Sequence, residues 1–183
     1  MALDWKHEVI EQLVWHWQNA LRPRLEGLTD EECFWEPVPG CWSIRPRAEA
    51  TSSMAAGKGD LVMDFAVPEP VPPPVTTIAW RLAHIGIVLG FRAANHFGAG
   101  APGWDEVEWP GTADEAIAFV EEAYDRWLAG IRRLDDDRMA SPVGPAEGPY
   151  SAYPFAALVL HVNREVIHHG AEVALLRDLF TRS

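Results

Sequence analysis

Residues 161–180, HVNREVIHHGAEVALLRDLF, set three histidines and two glutamates within twelve positions. Imidazoles and carboxylates both ligate metals, and both can carry protons. At about 100° per residue, His161, Glu165, His168, His169 and Glu172 fall in one narrow sector of a helix. Glu165 and His169 are four apart, so their side chains stand one turn above each other and can grip one ion. His161 and Glu165 repeat that step. Such a stripe is either a solvent face or one side of an internal polar site. Val162, Val166, Ile167, Val173 and Ala174 cover much of the remaining circumference, so most of the helix is expected to be buried.

An ion inside a helical bundle needs this kind of pair plus a ligand from a facing helix. His84 is the candidate, one position off the apolar stripe of Ile78, Leu82, Ile85 and Leu89 and near Val88 and Phe91. Two imidazoles and one carboxylate leave coordination positions open, the pattern of catalytic rather than structural zinc.

Four helices must position these groups. The first is expected over residues 4–21, with Leu3, Ile10, Leu13, Val14, Trp17 and Leu21 as its stripe and Pro23 as its stop. A short helical piece from Asp30 follows, where Thr29 and Glu32 match a capping box. Residues 36–76 read as a long connection, rich in turn formers and ending in a proline run, with room for a short strand. Its expected job is to cover a pocket or one end of the bundle. The second helix spans 77–97 with Thr77 as cap. The third opens at Thr112, again with a capping-box glutamate at 115, and carries Ile117, Val120, Tyr124, Trp127, Leu128, Ile131 and Leu134 on one side. The acidic run Asp135–Asp137 is expected to end it. Residues 140–151 break the chain, and the fourth helix runs from about Pro154 to Phe180. The class is all-α, a four-helix bundle in a single domain over 1–183, with a long connection between the first and second main helices.

The net charge of −12 argues against nucleic acid and against an anionic membrane surface as partners. No apolar run approaches the ~18 residues of a membrane span, and the start shows no signal-peptide pattern, so a cytoplasmic location is expected. Cys33 and Cys41, eight positions apart, form no C-x-x-C motif and are expected as reduced thiols. His16 is expected to be packed, and His7 and His96 exposed near helix ends. Most of the nine tryptophans are expected in the core. Trp42 and Trp80 are candidate pocket neighbours, along with Phe91. Arg81 and Arg45 could meet an acidic ligand or form surface ion pairs.

The stretches LRPRLEGLTDEECFWEPVPGCWSIRPR, TTIAWRLAHIG, PGTADEAIAFVEEAYDRWL and YPFAALVLHVNREVIHHGAEVALLRDLF resemble, in order, the DinB-like superfamily, and look closest to its actinobacterial members. That group includes mycothiol-dependent maleylpyruvate isomerases and bacillithiol-type S-transferases. The resemblance implies an up-down-down-up four-helix bundle with a divalent ion on His84, Glu165 and His169, the glutamate variant of the ligand set. Zinc is the first expectation, with nickel, iron or manganese as alternatives. His161 is an alternative ligand or a hydrogen-bond partner to one, and His168 a more peripheral group. The resemblance further implies a homodimer acting on a small thiol, mycothiol in an actinobacterium, and a small electrophile, as an S-transferase or isomerase. A metal-dependent hydrolase and a non-catalytic, stress-related metal-binding bundle are the alternatives.

Overall fold

The computed structural model describes residues 3–183; Met1 and Ala2, which open the stretch inspected for a signal peptide, lie outside them. Asp4 caps α1 (Trp5–His16) by accepting from the His7 amide. Pro23 does not stop the helix. The backbone passes through a π-helical turn, Trp17–Leu21, into α2 (Arg22–Leu25), whose first turn holds the proline. A proline there gives up an N–H that has no intrahelical partner anyway, so helical backbone continues. Leu3 precedes α1 and is exposed, while Ile10, Leu13, Val14, Trp17 and Leu21 are buried.

Thr29 caps α3 (Asp30–Cys33) by accepting from the Glu32 amide. The Glu32 carboxylate does not turn back to complete a capping box. It accepts instead from Nε and Nη2 of Arg177, at 2.6 and 2.9 Å. The long connection also contains an antiparallel ribbon, β1 (Ile44–Pro46) and β2 (Leu61–Met63), with Ile44 opposite Met63. Fully buried Asp64 organises it, accepting from the amides of Ser43, Thr51 and Ser52 and pairing with Arg45 Nε at 2.7 Å. Burial would raise this carboxyl, but Arg45 and the amides hold it below its usual value. Arg45 therefore serves an internal clamp through Asp64 and also makes a surface ion pair, its Nη1 2.9 Å from Oε1 of exposed Glu36.

Thr77 and Thr112 cap the long helices α4 (Ile78–Phe97) and α5 (Ala113–Arg132) as expected. The acidic run at 135–137 is a correction. Asp135 accepts from the Arg138 amide and caps a further helix, α6 (Asp136–Ala140), so these carboxylates stand at a helix N-terminus, where the dipole favours them. The last helix is α7 (Phe155–Phe180).

Contacts fix the helix directions. Gly86 faces Phe119, and Gly130 faces Phe97, so α4 and α5 run parallel. A side chain at either glycine would collide with the facing ring, which is how close these helices come. His84 meets Glu165 while His96 packs on Phe155, so α4 and α7 are antiparallel. Asn163 donates to the Val9 carbonyl and Arg24 to that of Ala174, so α1–α2 and α7 run parallel. The order is up-down-down-up. Buried side chains from all four long segments form one core around Trp127, Phe155, Leu13 and Leu82. Trp5 and Trp15 depart from the tryptophan expectation and are 72% and 64% exposed. No helix among the described residues is long and apolar enough to cross a membrane.

Candidate metal centre

The antiparallel packing of α4 on α7 brings His84 to Glu165 and His169. His84 Nε2 lies 3.3 Å from Glu165 Oε2, and His169 Nε2 lies 3.2 Å from the same oxygen. All three donor atoms lie within 4.8 Å of one another. Donors around a tetrahedral zinc, with bonds of about 2.0–2.1 Å, stand roughly 3.3 Å apart. The spacing and the donor set therefore fit a divalent ion.

His169 carries the most informative contacts. Its Nδ1 is 2.6 Å from Glu172 Oε2, a short charge-assisted hydrogen bond in which the ring donates. A neutral ring that donates from Nδ1 has a lone pair at Nε2. That lone pair faces a second carboxylate oxygen, on Glu165. Two acceptors at this distance repel unless a proton or a cation lies between them. Glu172 is itself held by Arg81, whose Nε is 3.0 Å from Oε2. A carboxylate anchored by a cation and gripping the far side of a histidine ring is a recurrent outer support of metal sites.

The long connection supports the other ligand. Trp42 N–H donates to the Val75 carbonyl, and Thr77 N–H donates to Trp42, docking this segment just before α4. Trp80 Nε1 donates to the Asp64 carbonyl. The Trp80 ring then stacks on His84, with centroids 5.1 Å apart and planes 8° apart. Burial pushes the His84 imidazole below its usual pKa, favouring the neutral, ligating form. The two imidazoles that face it, His169 first and then His84, hold the Glu165 carboxyl far below the carboxylate range.

The remaining candidates separate. Arg81 belongs to the site through Glu172. Trp80 backs His84, and Trp42, almost fully buried, packs behind Trp80 at 5.9 Å. Phe91 turns to Trp104, 6.0 Å away. His161 Nδ1 is 3.6 Å from Glu165 Oε1, the oxygen turned away from His84 and His169. His168 is largely exposed; it lies 3.5 Å from Glu172 Oε1 and its ring packs edge-on to His169, 4.8 Å away. A cavity of about 550 Å³ opens beside His161, but its walls include Arg92, Tyr150, Tyr153 and Arg164. None of the four expected pocket residues lines it. His96, expected at the surface, is buried, with Nε2 2.9 Å from Glu147 Oε1 and its ring against Phe155. It sits at a helix end, but α7 and the 145–150 segment cover that end.

A model of the DinB superfamily matches residues 12–173. The chain belongs to the DinB superfamily. A solved structure, described as a conserved protein from Enterococcus faecalis, has the same fold, with a TM-score of 0.60 over 100% of both chains and 10% identity. No curated protein matches the chain. The superfamily includes metal-binding helical proteins, in keeping with the His/Glu group between α4 and α7.

Glu172 lies in the polar sector read from the sequence, where it had no assigned role; the structure puts it against His169 and Arg81. Its signal was the three-residue step from His169, combined with Arg81 three residues before His84.

Proposed function

We propose that His84, Glu165 and His169 hold one divalent ion, zinc first, and that the protein uses it in transfer or isomerisation chemistry between a small thiol and a small electrophile. The observation that carries this is His169, which presents both ring nitrogens to carboxylate oxygens. A bound ion would acidify a thiol at its open positions and hold it in place. The chain's own residues do the rest of the positioning. Glu172 and Arg81 fix the His169 ring, Trp80 fixes His84, and the Glu165 carboxylate stays ionised.

The chain's own thiols are poor nucleophiles. Burial pushes Cys33 up to about 12 and Cys41 up to about 11, and both side chains are enclosed. An external thiol therefore suits the chemistry, and the mycothiol class is the one the family resemblance suggests.

Metal analysis of purified protein is expected to give about one ion per chain, lost in His169→Ala. Retention of the ion by a protein lacking all three side chains would reject the site. Conjugate formation from mycothiol and an electrophile, above a chelated control, tests the chemistry. Metal without conjugation would leave a metal-binding bundle without this activity.

A further inference from the structure

Arg92 follows His84 by eight residues on α4, two turns and about 12 Å along the same face. Its Nε is buried and has no hydrogen-bond partner among the described residues. The nearest carboxylate, Glu147 Oε2, is 3.7 Å away, too long for a hydrogen bond, and the other oxygen of Glu147 is taken by His96 at 2.9 Å. Arg92 Nη1 reaches only the Val88 carbonyl, at 3.4 Å. A second guanidinium, Arg164, lines the same cavity, and its nearest polar partner is His161 Nδ1 at 3.4 Å. Two guanidiniums thus line a cavity with one carboxylate, Glu147, already shared with an imidazole, on a chain whose net charge is −12. Cations in excess on so acidic a molecule call for an anion.

The remaining walls are apolar or aromatic: Val143, Leu158, Leu160 and the rings of Tyr150 and Tyr153. The volume, about 550 Å³, is that of a site for a small organic molecule. Because α4 and α7 are antiparallel, the cavity begins at His161, one turn before Glu165.

We propose that this cavity binds a small carboxylic acid with an apolar or aromatic body, its carboxylate on Arg92 and Arg164 and its body against Val143, Leu158 and Tyr153. A planar carboxylate matches the guanidinium fork and supplies the acceptors that Arg92 lacks. Recognition of the acid does not rest on the metal assignment.

The test is calorimetric titration with phenylbutanoate and with phenylbutanol, an uncharged probe on the same carbon skeleton. Zinc-loaded and chelated protein are both titrated, and zinc content is measured on the same samples. The acid is expected to bind at least about tenfold more tightly than the alcohol in both states. Arg92→Gln and Arg164→Gln should each erode that preference, whereas Arg126→Gln, at an exposed position on α5, should not. Arg164 is exposed, so its variant tests the site even if Arg92→Gln folds poorly. Equal binding of the two probes, no binding of the acid, or a preference that survives both substitutions overturns the proposal. So does a preference that vanishes on chelation, since the carboxylate would then sit on the ion. Arginine-dependent preference in a protein that takes up no zinc would sink the metal assignment and leave the acid site standing.

Discussion

His169 has two nitrogens and two carboxylates to face, and the division of labour between them decides what the site can hold. Glu172 accepts the hydrogen bond of Nδ1–H, which leaves Nε2, facing Glu165, to an ion or a further proton. Glu172→Gln keeps the shape and removes the charge, so metal affinity should fall by roughly 10–100-fold while the fold survives. Competition against a chromophoric chelator measures this, and unchanged affinity would show that Glu172 does not support the ligand. The pH dependence follows from His84, whose folded pKa lies below the ordinary 6.5 because of burial. Below that ordinary value the unfolded chain takes up a proton that the folded, metal-free protein resists. Stability is therefore full above the ordinary value and lost as pH falls through the folded one. Thermal melts of metal-free protein should drop on acidification from neutral pH, with a shallower slope in His84→Gln; equal slopes would exclude His84 as the cause. Glu165 and His169 were legible in the sequence as a pair because helical spacing reports which side chains share a face, and His84 joined them through the family resemblance. The role of Glu172 was not, because spacing does not say which ring nitrogen meets which oxygen.

Helix ends were the less legible part of the elements. The acidic run at 135–137 suits either the end of one helix or the start of the next, and only the Asp135 cap resolves it. Likewise, Thr29 and Glu32 promised a capping box, but Glu32 is only 4% exposed and committed to Arg177 across the molecule. Arg177 also donates to the carbonyls of Arg24 and Glu26, tying the turn between α2 and α3 to the end of α7. Arg177→Ala strands the Glu32 carboxylate without its cation and should cost about 3–5 kcal/mol in urea denaturation. The same change made in a Glu32→Gln background should cost clearly less, because no buried charge is then abandoned. Equal costs in the two backgrounds would mean that the carbonyl contacts, not the ion pair, hold the turn.

At the scale of the whole molecule, the candidate ion site lies between α4 and α7, so an ion bound there would couple metal to the fold. A ligand that binds only the native state stabilises it in proportion to the logarithm of its concentration over Kd. Zinc at about 100 times Kd should raise the melting temperature by roughly 5–10 °C in a protein of this size. Scanning calorimetry with and without chelator reads the shift, which should vanish when His84, Glu165 and His169 are all replaced. A shift that persists in that protein would place the ion elsewhere.

Periodicity alone established four long amphipathic helices, their approximate limits, and the polar sector that carries the site, since these depend on residues close in the chain. The order of the four helices and the three-ligand set came with the family resemblance, and contacts distant in sequence confirm that order and bring the three donors together. Tertiary structure alone decided the rest. It turned Arg45 inward to Asp64, buried His96 against Glu147 and Phe155, and set two arginines around a cavity beside His161. Each of these outcomes depends on which charge lies across the interface from which. A one-dimensional pattern cannot carry that information, because the partners are brought together only when the helices pack.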